Sequence, residues 1–135
     1  MSDMKNIVIV GGGFAGTTLA GALERRLPAG HRVVLVSQES YTTFNPMLPE
    51  AVGASVFPEQ VVAPIRQIAR SARFVMGRVT AVDPVARTLA CSTLAGERIQ
   101  PYDQLLLAFG NRARLDLLPG LQEHGIVLKT VGDAM

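Results

Sequence analysis

The chain has 135 residues, 48% of them hydrophobic and 18% charged, with a net charge of +2 and a single cysteine. This balance describes one folded domain's worth of sequence rather than a disordered segment. Lone Cys91 excludes an internal disulfide and leaves no Cys/His cluster for a metal. Lysines and arginines are scattered rather than blocked, so charge gives nucleic-acid binding no support. No apolar stretch reaches the length of a signal-peptide core or a membrane span.

Lys5 to Val10 is an apolar, β-branched run of strand length that empties into Gly11-Gly12-Gly13, and a helical pattern follows. Gly11, Gly13 and Gly16 stand at the G-x-G-x-x-G spacing of dinucleotide-binding turns. The first glycine allows the tight turn, the second lets backbone approach a pyrophosphate, and the third lets helix and strand pack closely. The helix N-terminus then presents N–H groups and a positive dipole end to phosphates. By itself the turn marks a dinucleotide, a nicotinamide dinucleotide fitting it equally well, and a ligand-free tight turn is the plain alternative.

Leu19, Ala20, Leu23 and Leu27 recur on one face, which predicts a helix over Thr17 to Leu27, ended by Pro28 and Gly30. Arg32 to Ser37 reads as a buried parallel strand that completes a βαβ unit. A ribose-binding carboxylate is sought about 20 residues beyond the glycines. Ser37 occupies that place, followed by Gln38 and Glu39. Residues 37 and 39 of an extended chain share a side, so Glu39 either serves the ribose or is a solvated loop charge.

From Gln38 to Glu59 the sequence has prolines and no period, yet Tyr41, Phe44, Met47 and Leu48 are too apolar for disorder. It reads as a loop packed over the ligand or over the sheet. Pro64 to Ala72 predicts a short helix, with Arg66, Arg70 and Arg73 as a solvated face or a phosphate-contacting cluster. Phe74 to Met76, Arg78 to Val82, Thr88 to Ser92 and Glu97 to Gln100 read as a strand continued by an antiparallel meander. Cys91 then lies in a strand as a structural thiol. Asp103 to Phe109 is a further apolar strand closed by Gly110, Ile126 to Leu128 reads as one more short strand, and His124 reads as a surface histidine.

Several separated segments resemble one family. They are the Ile7–Gly16 turn, Ser40-Tyr41-Thr42-Thr43-Phe44-Asn45-Pro46-Met47-Leu48-Pro49 with Gly53, and Val62-Ala63-Pro64-Ile65-Arg66. Arg78 to Asp83, Tyr102 to Gly110, Pro119-Gly120-Leu121, Glu123-His124 and Leu128-Lys129-Thr130 continue the match. Together they resemble the N-terminal flavin-binding part of a type II NADH:quinone oxidoreductase, within the FAD-dependent pyridine nucleotide oxidoreductase superfamily. The glycine turn marks the superfamily, and the Phe-x-Pro-x-Leu-Pro loop points to this branch.

The resemblance implies an α/β, Rossmann-like FAD-binding domain whose parallel sheet is crossed by a β-meander. Residues 1–118 would form the N-terminal segment of that domain, and residues 119–135 the start of a link toward an NADH-binding domain. It implies FAD as the ligand of this first turn, with NADH as the substrate of the parent enzyme. Gly11, Gly13, Phe14, Ala15 and Gly16 would hold the pyrophosphate. Ser37, Gln38 and Glu39 would lie by the adenosine ribose, and Val79 would meet the adenine through its backbone. Asn45 and Pro46 would approach the ribityl chain and ring system, and Ala108, Phe109 and Gly110 would close over the cofactor. The family carries an acidic residue where Ser37 stands and Thr where Phe109 stands.

The implied activity is hydride transfer from NADH through FAD to a quinone-type acceptor, with these 135 residues alone expected not to turn over. No catalytic residue is named. A stand-alone dinucleotide-binding module is the alternative outside catalysis. The flavin domain of a sulfide:quinone-type enzyme is the alternative within it, poorly matched by a lone cysteine. Location is expected to be cytoplasmic, with the full-length parent peripheral to the inner face of the cell membrane. Apolar sheet surface left uncovered would favour self-association.

Overall fold

A computed structural model describes residues 4–135 of the chain. Two compact units appear, one formed by the residues up to Thr42 with Pro64–Phe109, the other by Thr43–Ala63 with Gly110–Met135.

The first unit is built on β1 (Lys5–Val10), β2 (His31–Ser37), β5 (Arg73–Met76) and β9 (Gln104–Leu107). These pair in the order β5-β2-β1-β9, all parallel. Their continuous Val/Ile/Leu runs follow from burial on both faces. Because side chains alternate across a strand, Ile9, Val33 and Leu35 fall on one face. There they meet Ala20, Ile65 and Ala69, contributed by α1 (Phe14–Glu24) and by α3 (Ile65–Ile68) with the turn after it. Val8, Val10, Val34, Val36 and Val75 fall on the other face, against Leu89 and Cys91. Those two belong to the meander of β6 (Arg78–Asp83), β7 (Thr88–Thr93) and β8 (Gly96–Pro101), paired antiparallel in sequence order. The meander lies between β5 and β9 in the chain and replaces a helical crossover, as expected.

The 38–59 stretch, which belongs to the second unit from Thr43 onward, is more ordered than its lack of period suggests. After β3 (Tyr41–Thr43), a 3-10 turn at Asn45–Met47 leads into α2 (Leu48–Val52), and a second 3-10 turn at Pro58–Val61 leads into β4 (Val62–Pro64). β3 and β4 form a two-stranded ribbon. Pro46, Pro49 and Pro58 each stand at the first or second position of one of these turns, where a missing N–H costs nothing. Leu48, Ala51, Val61 and Val131 are buried. The tail adds α4 (Leu121–His124) and a 3-10 turn at Gly132–Ala134.

Three expected elements are corrected. The first helix begins at Phe14 rather than Thr17 and ends at Glu24, because the Thr17 N–H already reaches back to the Gly13 carbonyl at 3.0 Å. The helix expected over 64–72 is the single turn Ile65–Ile68; Ala69 leaves helical geometry while remaining buried. Ile126 to Leu128 is not a strand. Ile126 is 94% exposed, and the segment joins none of the three sheets.

Candidate dinucleotide site

The glycine turn divides its labour as the spacing demands. Gly11 has φ +117°, a conformation open to glycine, and its N–H donates to the Val36 carbonyl at 2.8 Å. A Cβ there would run into the Ala108 carbonyl oxygen and come within 2.9 Å of the Phe109 Cα, so the turn presses on the end of β9. A Cβ on Gly16 would meet the Gly11 carbonyl oxygen and lie 3.4 Å from the Ile9 Cγ2. That contact sets α1 close on β1. At Gly13 a Cβ would meet nothing within 4 Å. The space above the second glycine is open.

Gly13 is also the N-cap of α1, without a side-chain cap and with no acidic residue in the first turn. The first turn therefore sets no carboxylate of its own against the positive end of the helix dipole. This donor set and open cradle fit a pyrophosphate. Two further residues shape the turn that the motif alone does not name. A Cβ on Gly12 would lie 2.5 Å from the Ser37 Oγ and 2.6 Å from the Ile65 Cδ1. Buried Thr17 donates its hydroxyl to the Gly13 carbonyl at 2.8 Å. A buried threonine on an otherwise apolar helix face was the signal for the second.

Ser37 closes β2 with its side chain against Gly12, and its carbonyl accepts the Gly77 N–H at 2.8 Å. Gln38 and Glu39 are exposed. Glu39 is nevertheless engaged: the Tyr41 hydroxyl hydrogen-bonds to it, and burial first, then the Glu39 charge, raises the Tyr41 pKa. Val79 is half-buried in β6 opposite Cys91. The Ala108 N–H donates to the Val10 carbonyl at 2.7 Å, and Phe109 is 69% exposed. Gly11, Gly13, Phe14, Ala15, Gly16, Ser37, Ala108 and Phe109 thus gather about the carboxyl ends of β1, β2 and β9, where ligands sit on open parallel sheets.

Asn45, Pro46 and Gly110 lie in the second unit. There the Asn45 Nδ2 donates to the Lys129 carbonyl at 3.1 Å, and the Lys129 Nζ donates to the Asn111 Oδ1 at 2.7 Å. The Asp133 Oδ2 accepts the N–H groups of Lys129 at 2.9 Å and Thr130 at 2.7 Å. These donors, Thr130 foremost, hold the Asp133 carboxyl below the ordinary range. Gly110 has φ +68°. Among the described residues no helix is long and apolar enough to cross a membrane.

Comparison with known proteins gives the arrangement its relatives. The chain is 31% identical over 144 residues to the external alternative NAD(P)H-ubiquinone oxidoreductase B1, mitochondrial, of Solanum tuberosum, covering 98% of this chain and 24% of that protein. It is 31% identical over 141 residues to the demethylphylloquinone reductase NdbB of Synechocystis, covering 99% and 35%. The solved structure of NDH2 from Plasmodium falciparum in complex with NADH superposes with a TM-score of 0.86 at 21% identity, covering 97% of this chain and 27% of that one, which shows the shared fold. The chain thus spans about a quarter to a third of the length of these relatives. The family model described as pyridine nucleotide-disulphide oxidoreductase matches residues 5–135, and the chain belongs to that family.

Proposed function

We propose that this chain is the N-terminal FAD-binding part of an NAD(P)H:quinone oxidoreductase. The observation that carries the reading is the contrast within the glycine turn. Gly11 and Gly16 are closed by backbone, and Gly13 opens onto free space at a helix N-terminus. In this reading Gly11, Gly13, Phe14, Ala15 and Gly16 bind the pyrophosphate, with Thr17 and Gly12 shaping the turn. Ser37, Gln38 and Glu39 hold the adenosine ribose, Glu39 being oriented by Tyr41. Val79 meets the adenine, Asn45 and Pro46 approach the ribityl chain and ring, and Ala108, Phe109 and Gly110 cover the cofactor. The chemistry FAD supplies when bound is acceptance of hydride from NADH and its delivery to a quinone-class acceptor.

Residues 1–118 serve as the flavin-binding segment and 119–135 as the start of a link. Relatives named for ubiquinone and demethylphylloquinone support the acceptor class. A peripheral place for the full-length parent at the inner membrane face is part of the same proposal. Exposed Phe109, Leu117 and Leu118 support self-association. Sulfide chemistry is disfavoured, because Cys91 is buried in the core with its thiol pKa raised by burial.

The absorption spectrum of the purified chain tests the proposal. Flavin bands near one equivalent, or saturable uptake of added FAD, are expected. A colourless chain that takes up NAD and not FAD on titration refutes it.

A further inference from the structure

The end of the parallel sheet opposite the glycine turn gathers basic side chains from five separate segments. Lys5 opens β1 in register with His31, which opens β2. Arg25 and Arg26 follow the last turn of α1. The Glu24 Oε1 accepts the N–H groups of Ser71 at 2.8 Å and Ala72 at 2.6 Å, which fixes Arg70 and Arg73 at the same end. The Tyr102 N–H donates to the Arg87 carbonyl at 2.9 Å, bringing the turn between β6 and β7 to the start of β9. The carboxylates here are committed to backbone N–H groups. Glu24 is one; Asp83 accepts Val85 and Ala86 at 2.9 Å each, and Asp103 accepts Asn6 at 2.7 Å.

Within this end Lys5, His31 and Arg87 line one half-open surface pocket of about 220 Å³, together with Ile7, Asp103 and Gln104. Neither Lys5 nor Arg87 makes an ion pair among the described residues. The His31 Nδ1 has no hydrogen-bond partner among the described residues and is itself shut off from solvent, so the ring meets the pocket through its other atoms. Arg87 holds φ +52°, a left-handed conformation that costs a non-glycine residue energy and clusters at ligand clamps. The Lys5 and Arg87 charges face one pocket, and an anion that accepts from both satisfies them together.

We propose that this cavity binds a phosphate group through Lys5, His31 and Arg87. A tetrahedral oxyanion can accept from Lys5 and Arg87 at once, and the pocket's open side leaves room for the organic part to extend outward. The site lies roughly 17 Å from the glycine turn along the six residues of β1, so it is independent of the dinucleotide reading. A free phosphorylated compound and a phospholipid headgroup present the same chemistry.

The test follows the His31 ring resonances, separated from those of His124 by a His124→Gln variant, during titration with inorganic phosphate at constant ionic strength. A saturable shift is expected. Lys5→Gln and Arg87→Gln, both surface changes, each weaken it by roughly tenfold, while Gly13→Asp leaves it in place. An absent shift overturns the proposal. So does one that survives the Lys5→Gln/Arg87→Gln double variant, or one that vanishes with Gly13→Asp. Sedimentation with phosphatidylcholine vesicles containing phosphatidic acid then separates the sources. Binding that the double variant loses assigns a lipid headgroup, and phosphate binding without sedimentation assigns a free compound. Vesicle or oligonucleotide binding that the double variant retains, without a His31 shift, marks diffuse attraction to the basic end and overturns the site.

Discussion

Substituting Gly13 by alanine separates folding from binding. Gly13 has φ −79°, which any L-residue adopts, and its new Cβ meets nothing within 4 Å. Restricting the unfolded chain contributes about 0.4–1 kcal/mol of stability. Replacing a glycine N-cap by alanine offsets that by a few tenths to about 1 kcal/mol. The expected net change in unfolding free energy is therefore close to zero, within about 0.5 kcal/mol. The same methyl group occupies the space through which a pyrophosphate reaches the backbone. Losing the better part of two charge-assisted hydrogen bonds costs about 3 kcal/mol, or roughly a hundredfold in FAD affinity.

Gly11→Ala is the contrasting variant. Its φ of +117° and the Ala108 and Phe109 backbone leave no room. Strain of about 1–3 kcal/mol adds to overpacking of similar size, a large share of a total stability of about 5–15 kcal/mol. Urea unfolding followed by circular dichroism gives the first quantity, and FAD titration by fluorescence gives the second. Equal destabilisation by the two variants refutes the reasoning, as does Gly13→Ala binding FAD like the wild type.

Glu24→Ala leaves the Ser71 and Ala72 N–H groups without their acceptor and is expected to cost about 1–2 kcal/mol in urea unfolding. Glu24→Gln, which keeps an acceptor oxygen, recovers part of it. Asp133 has a depressed carboxyl pKa because it accepts Thr130 and Lys129 N–H groups. The order it gives the 129–133 turn is thus full above the ordinary carboxylate range and is lost as pH falls through the lowered value. Amide exchange at Lys129 and Thr130 should accelerate at acid pH, and Asp133→Asn should abolish that dependence. Cys91 is buried with a raised pKa, so a thiol reagent should react with the native chain only at the rate of opening and rapidly in urea. Fast native labelling contradicts the packing of β7 on the sheet.

The parts of the fold that sequence reveals are those whose cause is local or doubly determined. Ile7 to Val10 and Val33 to Val36 are apolar at every position because both faces of their sheet are covered, and that pattern survives without any structure. The meander is announced by turn residues between short strands. The start of α1 is hidden because its first turn lies inside the glycine motif, where helix-breaking residues serve the turn. The helix after Pro64 looks longer than it is because Ala69 is buried by neighbours rather than by helical periodicity. In the site, spacing alone exposes Gly11, Gly13 and Gly16. The Ser37–Gly12 contact and the Tyr41–Glu39 bond depend on how strand ends meet. Charge shows the difference most sharply. Scattered along the chain, Lys5, Arg25, Arg26, Arg70, Arg73 and Arg87 carry no pattern. A parallel sheet sets every strand start at one end, and α1 and α3 return their C-terminal ends there, where cations are favoured by the helix dipole. Topology therefore concentrates what sequence disperses, and a net charge of only +2 conceals a strongly basic end.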